Sequence, residues 1–170
     1  MSQTLINIFQ VKTPDGLKDF ASLLSVQEAF SGGIMPEAII GELSEPPQPD
    51  GPISPSGFVR NRLFVELLHS IVAREAPKQK SFQLEAKRQM EGWVYVIDQR
   101  TPNPKGDVPN DDVIGAFEVK NGKIVDGSYV ANKNHRILSN RGFFDLGTEL
   151  YEHLLAELRK RNSKNGKTDA

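Results

Sequence analysis

No cysteine occurs among the 170 residues, and that single absence closes several chemistries at once. A disulfide framework, a thiolate zinc site, an iron–sulfur cluster and a cysteine nucleophile all require the thiol. An excess of charge of one sign is also missing. With 21 basic and 22 acidic residues the formal net charge is −1, so bulk electrostatics give no reason to expect nucleic acid or an anionic membrane as partner. No apolar run approaches the roughly 18 residues that a spanning helix needs. The opening MSQTLINIFQVK has no basic segment, and Asn7 and Gln10 interrupt its apolar residues, so it does not read as a secretory signal. Neither a G-x-x-x-x-G-K-[ST] loop nor a G-x-G-x-x-G fingerprint is found, and there is no G-x-S-x-G elbow. These absences predict a soluble cytoplasmic protein outside the common nucleotide-binding and hydrolase classes.

What is present suits one folded domain. The apolar fraction of 38% and charged fraction of 25% are those of a globular chain long enough to bury its own core. A strand is expected over LINIFQV (5–11), then a helix over 14–30 with Thr13 as cap, Pro14 at the first position and Leu17, Phe20, Ala21 and Leu24 as its stripe. Residues 44–57 carry Pro46, Pro49, Pro52 and Pro55 at every third position, a polyproline spacing that reads as a stiff loop or a docking segment. A helix over 58–77, capped by Ser56, and a weaker one near 81–91 follow. WVYVID (93–98) predicts a strand apolar on both faces, which needs cover from a second layer or a second subunit. After a proline-rich connection at 102–112, residues 114–129 predict a hairpin turning at Asn121-Gly122, with Lys120 opposite Lys123, Val119 opposite Ile124 and Phe117 opposite Asp126. A last helix begins near Thr148, and residues 162–170 read as a polar, disordered tail beyond a single globular domain at 1–161. The fold class is thus α+β: a mostly antiparallel sheet of about four strands, four helices packed against it and two proline-rich loops.

Two constellations carry candidate chemistry. In YVANKNHRILSNRGFF (129–144), Asn132, Lys133, Asn134, His135, Arg136, Asn140 and Arg141 all bear side-chain nitrogen. Asn134, His135, Arg136 and Arg141 would converge on a carboxylate or phosphate, because arginine offers a planar fork of donors and histidine a titratable one. The alternative is a turn dressed with asparagine, which tolerates left-handed backbone. Between 98 and 141 seven basic residues meet six acidic ones, so a small anion fits this region better than a nucleic acid does.

The second constellation is Asp98 followed by Glu118-Val119-Lys120. A strand ending in Asp and a later strand carrying Glu-x-Lys resemble the core pattern of the restriction-endonuclease-like nucleases. The resemblance implies that Asp98 and Glu118 hold magnesium while Lys120 stabilises charge building on phosphate. Asp98 stands at the end of its strand, where that pattern usually places it near the start. His69 and His153 are expected on solvated helix faces beside Glu66 and Glu149, and no histidine pair has metal-ligand spacing. The leading expectation is a non-enzymatic cytoplasmic accessory or binding domain, without cofactor, that self-associates and takes a small anionic ligand or partner group through 132–141. The alternative is a magnesium-dependent phosphodiesterase using Asp98, Glu118 and Lys120.

Overall fold

The structure, a computed structural model, describes residues 6–30, 33–45, 53–101 and 108–168. It is an α+β fold with four helices and antiparallel sheets. Strands β1 (Asn7–Thr13), β2 (Gly16–Ser22), β3 (Ile39–Leu43) and β4 (Phe58–Arg60) form the first sheet in that order. The short helix α1 (Val26–Phe30) interrupts it between β2 and β3.

The helix expected over 14–30 is not formed. Pro14, Asp15 and Gly16 make a tight turn, Thr13 pairs with Gly16, and the Thr13 hydroxyl donates to Gly16 O at 2.7 Å and accepts from Asp15 N at 3.2 Å. Gly16 adopts φ +109°, a conformation closed to most residues. The side chains that mimic a helical stripe instead lie on β2, where β1 and β3 satisfy the backbone on both sides. Of the first proline-rich stretch, residues 46–52 lie outside the described residues, and so do residues 102–107 of the second. Pro55 opens a one-turn 3-10 helix that leads into β4.

Helix α2 (Arg62–Glu75) starts four residues later than the stripe alone suggests, because 58–60 join β3 as a strand. Its cap is Asn61, whose side chain accepts from Leu63 N at 3.2 Å, rather than Ser56. The stripe itself is confirmed: Phe64, Leu67, Leu68, Ile71 and Val72 are buried against β3 and the last helix. Helix α3 (Lys80–Gln89) ends at Met90, which takes φ 68°.

The second sheet contains β5 (Gly92–Ile97), β6 (Val113–Lys120), β7 (Lys123–Ile124) and β8 (Val130–Ala131). Strand β6 lies at its centre, with β5 on one side and both β7 and β8 on the other. The Asn121-Gly122 turn has φ 52° and 73°, as a type I′ hairpin requires, and pairs Lys120 with Lys123 and Val119 with Ile124 as expected. The pairing stops there, so Phe117 does not face Asp126 in the ladder.

Strand β5 is amphipathic in its surroundings despite its apolar composition. Val94 and Val96 are buried, while Trp93 is 43% and Tyr95 55% exposed. Cover for the second face is therefore absent among the described residues. A small ribbon of β9 (Leu138–Ser139) and β10 (Gly142–Phe143) and the long helix α4 (Thr148–Thr168) complete the chain. Helix α4 continues through 162–168, where a frayed tail was expected, and Asn162 is buried, with its amide donating to Glu28 O at 2.8 Å and its carbonyl accepting from Met35 N at 3.0 Å. One core joins both sheets, α2 and α4. No helix among the described residues is long and apolar enough to cross a membrane.

Gly115 is required for a different reason from the turn glycines. A Cβ there would come within 2.5 Å of the Tyr129 hydroxyl, so Tyr129 lies flat over the bare backbone of β6. Its ring sits 5.0 Å from that of Phe117. Gly115→Ala should displace the tyrosine and lower stability by about 1–3 kcal/mol. A urea midpoint unchanged from the parent protein would show that the contact is not tight.

Candidate functional site

The donor-rich segment is organised from within by Asn132. Its amide donates to Asn110 O at 2.7 Å and Val113 O at 2.8 Å, while its carbonyl accepts from Asn134 N at 3.1 Å. Asn132 N bonds Ile114 O, and His135 N returns to Asn132 O. Asn132 thus ties the loop to β6 through turn chemistry.

Beyond it the expected donors divide. His135 turns inward, is 2% exposed, and bonds Asp98 Oδ2 through Nε2 at 2.9 Å. Arg141 is held by two carboxylates, with Nε 2.9 Å from Asp112 Oδ2 and Nη2 2.6 Å from Asp111 Oδ1. Asn134 and Arg136 remain exposed and point to a common cleft. The four predicted residues therefore do not converge on one point.

The inward group forms a network with a centre the sequence reading missed. Arg100, whose side chain is only 4% exposed, places Nε 2.8 Å from Asp112 Oδ1 and 3.5 Å from Asp98 Oδ2. Its remaining donors go to backbone carbonyls: Gly142 O at 2.8 Å, Asp111 O at 3.2 Å and Arg136 O at 2.5 Å. Asp112 also accepts a short hydrogen bond from the Thr101 hydroxyl. Burial alone would raise the Asp112 carboxyl, but the hydrogen bonds from Arg141, Thr101 and Arg100 outweigh it and hold the pKa below the ordinary carboxylate value. Asp98 is fully enclosed, and its Oδ1 accepts from Arg100 N and Asp145 N. With every oxygen engaged, this cluster is a clasp for the loop rather than a receptor. The available signal was the short spacing of Asp98, Arg100 and Thr101 after a strand, with Asp111-Asp112 before the next.

The outward group lines a cleft of about 300 Å³. Arg60 from the end of β4 lines it together with Lys133, Asn134 and Arg136, and Pro55 and Phe58 also contribute. Arg60 Nη1 also donates to His135 O at 3.2 Å, which ties the rim to the clasp. The Arg136 guanidinium lies 4.0 Å from Asp111 and is 63% exposed, a loose pairing that leaves it available to solvent.

The magnesium constellation is not assembled. Glu118 stands opposite Trp93 at one end of the β5–β6 ladder, whereas Asp98 follows the other end and bonds Asp112 O through its N–H. Five residues of strand put them about 16 Å apart, far beyond the reach of one ion. Glu118 instead lies 3.4 Å from Lys120, an exposed ion pair. No group of three or more potential metal ligands occurs among the described residues.

His69 also departs from expectation. Its Nδ1 lies 2.7 Å from the Tyr129 hydroxyl, and the residue is half-buried rather than fully solvated. Burial, with smaller contributions from His135 and Arg60, lowers its pKa to about 4, so it is neutral at physiological pH. Burial likewise pushes the Tyr129 phenol up. His153 stays at the surface, 3.5 Å from Glu75.

The clasp and the half-buried His69 each make a testable contribution to stability. Asp112→Ala leaves Arg100 and Arg141 without their common acceptor and should cost about 3–5 kcal/mol in denaturant unfolding; a loss below ~1 kcal/mol would reduce the network to surface pairing. For His69 the folded pKa lies below the ordinary histidine value of 6.5, so the unfolded chain binds more protons between pH 6.5 and 4. Stability should fall as pH drops through that window, by an amount on the order of 1–2 kcal/mol. His69→Gln should flatten the change in urea midpoint between neutral and mildly acidic pH, and an equal slope in both proteins would assign the effect elsewhere.

No protein-family model, no curated protein and no solved structure matches this chain.

Proposed function

We propose that this chain is a non-enzymatic cytoplasmic binding protein that takes a small anionic group into the cleft between β4 and the 132–138 loop. The carrying observation is that Arg60, Lys133 and Arg136 line one concavity and that no carboxylate among the described residues lines it with them. Three cations brought together, with only the loose Arg136–Asp111 contact at 4.0 Å to offset them, repel one another, and an anion relieves that repulsion. Asn134 adds an uncharged donor, and Phe58 with Pro55 adds apolar lining. That combination suits a phosphate or carboxylate borne on a small organic body. The role is read as binding because the titratable groups that would serve acid–base chemistry are occupied: His135 by Asp98 and His69 by Tyr129. The cysteine-free composition fits a reducing compartment.

Self-association is the second part of the reading, and the uncovered Trp93, Tyr95 and Val130 support it.

Calorimetric titration with inorganic phosphate and with phenyl phosphate tests the anion site. Phenyl phosphate should bind the more tightly, and added salt should weaken both. Lys133→Gln and Arg136→Gln should each reduce affinity about tenfold, or ~1.4 kcal/mol. Absence of heat at millimolar ligand, or affinity indifferent to both substitutions, would refute the site.

A further inference from the structure

The second sheet ends in an edge unlike the others. In an antiparallel sheet the N–H and C=O of one residue point to the same neighbouring strand, and those of the next residue to the opposite one. On β6, Glu118 sends both groups away from β5: its N–H donates to the Ser128 hydroxyl at 3.0 Å and its C=O accepts from Val125 N at 2.9 Å. Val119, Phe117 and Gly115 must then bond β5, through their partners Gly92, Val94 and Val96. The intervening Trp93 and Tyr95 therefore direct their own backbone groups off the sheet. Among the described residues no strand receives them.

The remaining edges are blunted. Strand β1 carries Lys12, β4 is three residues long and ends in Arg60, and β7 is two residues long and begins with Lys123. Charges and short strands at an edge discourage pairing with another chain. Strand β5 has six residues, GWVYVI, with neither charge nor proline. Moreover, the residues that offer unpaired backbone also present exposed aromatic side chains, and Val130 continues the apolar face across Ala116.

We propose that β5 pairs antiparallel with β5 of a second copy of this chain about a two-fold axis through Val94. The proposal rests on the self-association reading above and gives it an edge and a register. With Val94 opposite its own copy, Trp93 faces the second copy's Tyr95 and Tyr95 its Trp93, and the outward N–H and C=O groups form roughly four inter-chain hydrogen bonds. Both aromatic pairs fall on the same open face, where cross-strand aromatic contacts add to the backbone bonds. The surface is self-complementary, as a two-fold contact requires. The buried area, roughly 500 Å² per copy, falls at the low end for a specific complex and so sets a weak, concentration-dependent dimer rather than an obligate one.

Sedimentation equilibrium and amide exchange on the full chain test this together. At millimolar protein a dimer should appear, and the Trp93 and Tyr95 amides, exchanging freely in dilute solution, should become protected. The Val94 and Val96 amides should be protected at every concentration. Tyr95→Lys should weaken the dimer about tenfold or more. The double variant Trp93→Glu with Tyr95→Lys should recover association, because opposite charges then face each other across the axis. A chain that stays monomeric at millimolar concentration overturns self-association and this edge alike. A dimer whose Trp93 and Tyr95 amides still exchange freely keeps self-association and overturns the edge. A dimer with protected amides but no recovery in the double variant overturns the register.

Discussion

The side-chain carboxylate of Asp112, enclosed between two guanidinium groups, is the interaction on which the second half of the molecule depends. A buried charge is costly unless paired and fully hydrogen-bonded, and here Arg100, Arg141 and Thr101 together meet that requirement. Arg100 in turn distributes its remaining donors over the carbonyls of Asp111, Arg136 and Gly142. Three separate chain segments thus share one polar centre. The loop at 132–141 is ordered by charge at a place where it has few apolar side chains to bury.

That arrangement divides labour along the loop. His135, which is buried, and Arg141, which stays at the surface, are both fixed by acceptors, and fixing them sets the direction of Asn134 and Arg136. Arg60 joins the two populations, lining the cleft while donating to the His135 carbonyl. A cleft whose cations are held by a rigid backbone loses less entropy on binding than one assembled from free loops. The clasp is therefore the support of the proposed anion site, although it touches no ligand itself.

How much of this the sequence disclosed follows the range of the determining interactions. The Asn121-Gly122 hairpin and the stripe of α2 were legible because turn chemistry and helical spacing are local. The segment 14–30 was misread for the same reason: Pro14-Asp15-Gly16 serves a hairpin as well as a helix start, and the decision lay with β1 and β3, which no window contains. Cover was expected on both faces of β5, but only the Val94 and Val96 face is buried, because the exposure of the other depends on what neighbours the sheet has. At the site, Asn134 and Arg136 line the cleft, whereas Arg141 and His135 found acceptors 29 and 37 residues away. Arg100 escaped notice because its carbonyl partners lie up to 42 residues distant. The magnesium pattern failed on register, since residues close in a motif are separated along the ladder.

Asn162 has a consequence for the order in which the molecule assembles. Its amide closes onto backbone groups 127 and 134 residues earlier, at Met35 and Glu28. During synthesis those groups emerge long before their partner exists. The connection between β2 and β3 therefore exchanges water for protein partners only when α4 docks, whereas the β1–β2–β3–β4 ladders need no group from that helix.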